Sequence, residues 1–198
     1  RYMTSSVDFD ELQAMNDEVY AWIEVPGTVI NYAVVQSATD DLFYINHAVD
    51  KSYFSGGSIF SQRYNTTTFQ DSMTVLYGHN SRSQAMFAQL NNFADASFFE
   101  QNQSIYIYPP EKVYEYQIFA AYPHSSDHLL LCNDFNDPDQ FAAYFDSLAD
   151  GVNCNYRRDL FPQFGDKVLT LSTCYRQNRT QRFLVQGVLT QEYTVLKK

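Results

Sequence analysis

The sequence predicts a mostly β domain with a few helices set between the strands, and three observations predict it. β-Branched and aromatic residues gather in short runs broken by turn residues, the composition of strands. These runs are Val29 to Val35, Gly57 to Phe60, Met73 to Tyr77, Ile105 to Tyr108, Val113 to Tyr122, Lys167 to Leu171 and Arg182 to Leu189. Tyrosines recur two apart within them, at Tyr106 and Tyr108 and again at Tyr114 and Tyr116, with Tyr122 further along; that is the spacing of one sheet face. Helical periodicity is confined to three segments. A chain of 198 residues with 45% hydrophobic content can bury one good core and is short for two ordinary domains. A single domain over 1–198 is therefore expected, with an N-terminal helical segment, 1–24, and a β portion, 25–192.

The first helical segment runs from Asp8 to Ile23, where Phe9, Leu12, Met15, Val19 and Ile23 stand three and four apart, as on one helix face. In the second, Ser83 to Phe93, the residues Met86, Phe87, Leu90 and Phe93 repeat at helical spacing, and this segment is expected to pack beneath a cleft. The third runs from Asp137 to about Ala149, with Asp137 as cap, Pro138 in the first turn and Phe141, Tyr144, Phe145 and Leu148 on one face. Gly151 is its expected terminator. No repeat, low-complexity tract or linker points to a second module.

Charge excludes some functions. The net charge is −10, and no cluster of Lys and Arg is visible of the kind that phosphate or an anionic lipid surface requires. Nucleic acid is not an expected partner, and the tyrosine rows read as sheet packing. The chain begins at Arg1-Tyr2-Met3 and contains no run of about twenty apolar residues that would span a bilayer. It reads as the soluble part of something larger.

Chemistry concentrates in two short segments and one cation. Leu76-Tyr77-Gly78-His79-Asn80 closes one strand run, Thr170-Leu171-Ser172-Thr173-Cys174 closes another, and Arg182 opens the run Phe183-Leu184-Val185. They supply a base, a nucleophile and a positive charge at the ends of strands. A free thiol with a pKa near 8.5 is only a few per cent ionised at neutral pH, so a cysteine nucleophile needs a neighbouring base or cation. Each residue also has a plainer reading: His79 as a hydrogen-bonded core histidine, Cys174 as a small buried apolar residue, and Arg182 as a surface cation with Arg176 and Arg179 as competitors.

These motifs resemble the signature of the sortases, and the likeness extends along the chain. Trp22-Ile23-Glu24-Val25-Pro26-Gly27-Thr28, Tyr32-Ala33-Val34-Val35-Gln36, Phe43-Tyr44-Ile45-Asn46-His47 and Gly57-Ser58-Ile59-Phe60 resemble, in order, the first half of a class B sortase. The resemblance covers roughly residues 16 to 192, and an ordered series is far more specific than any one motif. It implies a sortase-like closed β-barrel of about eight strands, with an N-terminal helix and a helix in the connection before the Cys-bearing strand. It further implies a cysteine transpeptidase that cleaves a C-terminal sorting signal after Thr. A thioacyl enzyme would pass the acyl group to an amine of peptidoglycan or its precursor. On that reading Cys174 attacks, His79 moves the proton, Arg182 stabilises the oxyanion, and Ser172, Thr173 and Ile45 line the peptide groove. No cofactor is expected. The family also implies a monomer on the outer face of a Gram-positive cell, held by an N-terminal membrane anchor that these residues do not contain. One feature departs from the pattern: Tyr175 and Arg176 follow the cysteine where some class B enzymes carry an acidic residue. Asn80 is a candidate to orient His79. The competing readings are a cell-surface cysteine peptidase that releases the acyl group to water and a non-enzymatic adhesin-like β domain.

The three cysteines leave a choice on an oxidising cell surface. Cys132 and Cys154 either pair across the predicted helix or remain two inert thiols. His124, His128 and Cys132 have a spacing of four that invites a metal-site reading, but Ser125-Ser126-Asp127 looks like a loop and no metal is expected. Asp40-Asp41 and the aspartates between Asp134 and Asp139 are dense enough for calcium or for a solvated surface.

Overall fold

The structure, a computed structural model, describes residues 1–148 and 155–196. Strand runs that are apolar on both faces need cover on both sides, and the chain provides it by closing its sheet and packing helices outside. The strands are β1 (Tyr2–Met3), β2 (Val19–Glu24), β3 (Asn31–Val35), β4 (Ile59–Phe60), β5 (Met73–Tyr77), β6 (Ser104–Tyr108), β7 (Lys112–His124), β8 (Asn155–Tyr156), β9 (Val168–Cys174) and β10 (Arg182–Val195). In space β10, β9, β5, β4, β3, β2, β6 and β7 follow one another, and β7 pairs back on β10. Among the described residues this makes a closed eight-stranded barrel, the expected fold, with β1 and β8 as short additions. Closure removes the unpaired edges that an open sheet leaves.

Inside the barrel lie Ile23, Leu76, Phe93, Tyr116, Leu171, Phe183 and others. The outer face of β5, β9, β10 and β7 is covered by α3 (Leu129–Cys132) and α4 (Pro138–Leu148), which bring Leu129, Phe141, Phe145 and Leu148 onto Val75, Phe119, Val168 and Leu184. Helix α4 begins as the sequence reads: Asp137 Oδ1 accepts the Asp139 and Gln140 N–H groups. Gly151, its expected terminator, lies outside the described residues. Tyr114 and Tyr116 are buried, 5% and 1% exposed, as are Tyr108 and Tyr122, while Tyr106 is only partly covered.

Two helical expectations are corrected. The N-terminal helix does not reach Ile23: α1 is Phe9–Met15, and Asn16 is already extended at φ −155°. The Asn16 side chain leaves the helix to donate to Tyr44 Oη and Val49 O. Val19, Ala21 and Ile23 are then buried while Tyr20, Trp22 and Glu24 are partly open, an alternation of period two. A spacing of four residues suits both periods, so Val19 and Ile23 continued the helical template from Met15 without being helical. The β portion accordingly starts at β1 and β2, not at residue 25. The Ser83–Phe93 segment is not a continuous helix either. Asn80 pairs with Met86 in a tight reversal, and a 3-10 helix follows over Ala88–Ala94, before α2 (Ala96–Gln101). Phe87, Leu90 and Phe93 are fully buried, which accounts for their periodicity.

Candidate active site

Strand pairing decides which side chains share a face. β5 and β9 run parallel with Tyr77 opposite Ser172, and β9 and β10 run antiparallel with Cys174 opposite Arg182. Side chains alternate along a strand, so Tyr77, Ser172, Cys174 and Arg182 all stand on the outer barrel face at one end of three adjacent strands. Arg182 Nη1 lies 3.8 Å from Cys174 Sγ. Neither competing cation is placed this way: the Arg176 guanidinium donates to Gln84 Oε1 and Ala88 O, and Arg179 is exposed in the turn.

His79 follows the end of β5. Gly78 N–H donates to Ser172 O, 3.2 Å, and His79 O accepts from Phe87 N–H. The ring is held by Ile45, whose carbonyl lies 2.5 Å from His79 Nε2. With Nε2 carrying that hydrogen, Nδ1 is the nitrogen free to take a proton. Ile45 thus orients the imidazole through its main chain as well as standing on the cleft wall.

His79, Cys174, Arg182, Ser172, Thr173 and Ile45, the six residues singled out in the sequence, all line one cleft of about 250 Å³. Leu42, Phe60 and Val75 add apolar wall, and Tyr77, Gln62, His124 and His128 add polar groups. Burial pushes the Tyr77 phenol up to about 12, and its hydroxyl has no hydrogen-bond partner among the described residues. Burial likewise holds the His128 imidazole below the ordinary histidine value. His128 Nε2 donates to Gln62 Oε1 at 2.7 Å while Nδ1 accepts the Leu131 N–H. Thr173, 2% exposed, has no hydrogen-bond partner for its hydroxyl among the described residues.

Other expectations resolve differently. The Asn80 carboxamide is turned to the cysteine, its Nδ2 donating to Cys174 O at 3.1 Å. Tyr175, which follows the cysteine, is buried and stacks on Phe183 at 5.4 Å. His124 and His128 share the cleft, but their rings are tied to Ser125 O and Gln62, and among the described residues no three potential ligands converge on a metal position. Cys154 lies outside the described residues, and with it the choice between a Cys132–Cys154 pair and two separate thiols. Of the acidic candidates, Asp41 binds Arg63 and Asp134 caps Asn136 N–H. Sequence reasoning weighed His128 only as a metal ligand and did not single out Asn91, whose carboxamide also reaches Cys174 O. Asn91 carries no local signal, since it is brought there by the fold.

A closed barrel presenting a thiol, a guanidinium and an imidazole at neighbouring strand ends defines a class: a β-barrel protein equipped for chemistry at cysteine. The Sortase domain family profile matches residues 23–190. Sortase B of Listeria monocytogenes is 29% identical over 181 residues, covering 90% of this chain and 72% of the relative. Among solved structures, Clostridium perfringens sortase B superposes with a TM-score of 0.83 at 29% identity, covering 93% of this chain and all of that one. A Streptococcus pyogenes class B sortase involved in pilus biogenesis gives 0.80 at 31%, covering 93% and 98%. The chain therefore belongs to the sortase family of cysteine transpeptidases, and within it to class B.

Proposed function

We propose that this protein cleaves a C-terminal sorting signal of secreted surface proteins after Thr and transfers the acyl group to an amine at the cell surface. The observation that carries the reading is the face-to-face register of Cys174 and Arg182, 3.8 Å apart, with His79 on the adjoining strand end in the same cleft. The Cys174 thiolate attacks the scissile carbonyl. Arg182 donates to the oxygen as it becomes negative, an interaction stronger in the transition state than in the ground state. His79 gives a proton to the leaving amine, and Cys174 holds the acyl group as a thioester. The incoming amine then attacks the thioester carbonyl, His79 takes back its proton, and the thiolate leaves. Ser172, Thr173 and Ile45 line the peptide groove, and Tyr77 and His128 extend it. The acceptor is an amine of peptidoglycan or its precursor; the pilus-forming relative makes a protein amine the other class to include in the test.

Mass spectrometry of the enzyme with a panel of sorting-signal peptides, with and without oligoglycine, diaminopimelate-containing or lysine-bearing protein acceptors, tests this. A thioacyl adduct on Cys174 and an amine-dependent product are expected, and Cys174→Ala abolishes both. Arg182→Ala is expected to lower kcat by about 10²- to 10³-fold, the loss typical of one oxyanion donor. Cleavage that yields only the free acid with every amine would establish the hydrolase instead.

A further inference from the structure

Strand β9 loses its neighbour just where its nucleophile stands, and two side chains take the neighbour's place. In the parallel β5–β9 ladder Gly78 N–H donates to Ser172 O. Donors in such a ladder recur every second residue, so the next one, to Cys174 O, falls to the main chain of Asn80. The backbone does not supply it: Asn80 is paired with Met86 across a reversal in which Gln84 and Met86 take positive φ, 63° and 56°. Instead Asn80 Nδ2 donates to Cys174 O at 3.1 Å and Asn91 Nδ2 donates to the same oxygen at 3.3 Å. Asn91 is 6% exposed and fully engaged, since it also donates to Ala88 O and its Oδ1 accepts Arg176 N–H at 2.7 Å. It bridges the residues on either side of Tyr175, whose own N–H is held by Gln181 O on the β10 side.

We propose that Asn80 and Asn91 are positioning residues that replace the missing ladder rung and fix the Cys174 peptide, and through it the direction of Sγ toward Arg182 and the cleft. The inference rests on Cys174 being the nucleophile. Rotation of an unclamped 174 peptide would carry Sγ away from its 3.8 Å contact with Arg182, and a misplacement of about 1 Å can cost about 10²-fold in rate. The two donors also draw on the carbonyl's negative end, which otherwise lies beside the thiolate on the same residue. Neither carboxamide lines the cleft, so the effect belongs in the chemical step and not in peptide binding.

The test is iodoacetamide alkylation of Cys174, quantified by peptide-resolved mass spectrometry so that Cys132 and Cys154 are read separately. Wild type is compared with Asn80→Ala, Asn91→Ala, the double variant, Asn80→Asp and Asn80→Gln. Each alanine variant is expected to slow alkylation of Cys174 by several-fold and the double variant by about tenfold or more, the scale of a mispositioned reactive group. Asn80→Asp, isosteric but placing an acceptor against an acceptor, is expected to be at least as slow as Asn80→Ala, whereas Asn80→Gln regains most of the rate by restoring a donor. Alkylation of Cys132 stays constant, and with a cleaved peptide kcat falls while KM does not. Asn80 is half-buried, so its variants carry the test should Asn91→Ala not fold. Wild-type alkylation in Asn80→Ala and Asn80→Asp, or a parallel change at Cys132, overturns the proposal. Acyl transfer surviving in Cys174→Ala would instead overturn the reading of the nucleophile, and the alkylation comparison would stand apart from it.

Discussion

Gly78 shows how closely one residue can be tied to its neighbours. A Cβ there would lie 2.6 Å from Ile59 Cδ1 and 2.7 Å from Phe87 Cγ, closer than real side chains approach, and both neighbours are fully buried. Gly78→Ala is expected to destabilise by about 1–3 kcal/mol, the cost of overpacking a filled core, and to displace His79 by pushing the strand end outward. Chemical denaturation gives the first quantity and kcat the second. Tyr77 predicts the opposite sign. Its hydroxyl is buried without a partner among the described residues, and an unsatisfied buried donor is costly. Tyr77→Phe is expected to raise stability by about 1 kcal/mol, and any accompanying loss of kcat/KM would show that the hydroxyl is kept for the peptide.

At the scale of an element, the short helix α3 has a histidine at its start. His128 Nδ1 accepts the Leu131 N–H, while Nε2 donates to Gln62 on the facing wall, with the Tyr64 and Tyr77 rings at 5.0 and 6.4 Å and Asp41 nearby. The cap needs a neutral ring, because a protonated Nδ1 has no lone pair to offer. Burial lowers the native pKa, with Asp41 opposing it, so the folded state binds the proton less readily than the unfolded chain. The contribution is therefore fully present above the unfolded value near 6.5 and is lost as pH falls through the lowered native value. NMR titration of His128 with amide exchange at Leu131 is expected to show the cap opening below pH 6.5 and not above it. Helix α4 depends on packing instead: Phe141, 1% exposed, meets Phe135, Phe145 and Phe164. Phe141→Ala is expected to cost about 3–5 kcal/mol in denaturation experiments.

For the whole molecule, the pairing of β7 with β10 joins the two ends of the barrel's strand order along twelve register positions, Arg182↔His124 through Thr194↔Lys112. No part of the ring has its strand partners without the rest, so thermal unfolding is expected as one cooperative transition with coincident near- and far-ultraviolet circular dichroism. Separate transitions would divide the chain into two domains. In acid, Asp41 enters. The Arg63 side chain and N–H hold its carboxyl below the usual range, so what the pair contributes is present above about pH 4 and lost as pH falls through the depressed native value. The pair is largely open to solvent, so the effect is small and salt-sensitive.

By itself the sequence determined most of the strand content, the α4 helix with its Asp137 cap, and the thiol and imidazole as candidates, because each leaves a local mark: a period, a cap, or a rare residue type at a strand end. Met73–Tyr77 was legible to the residue for this reason. The tertiary structure decided what depends on pairing. It ended α1 at Met15, since Met15, Val19 and Ile23 fit two periods and only burial against β3 and β6 selects one. It chose Arg182 over Arg176 as the cation beside Cys174 through the β9–β10 register, which turns one arginine outward with the thiol and sends the other to Gln84. It turned Asn80 from His79 to the Cys174 carbonyl and brought Asn91 to the same atom across 83 residues. Local patterns are written within a few residues. Contacts between distant segments are fixed only when the barrel closes and satisfies every buried main-chain group at once.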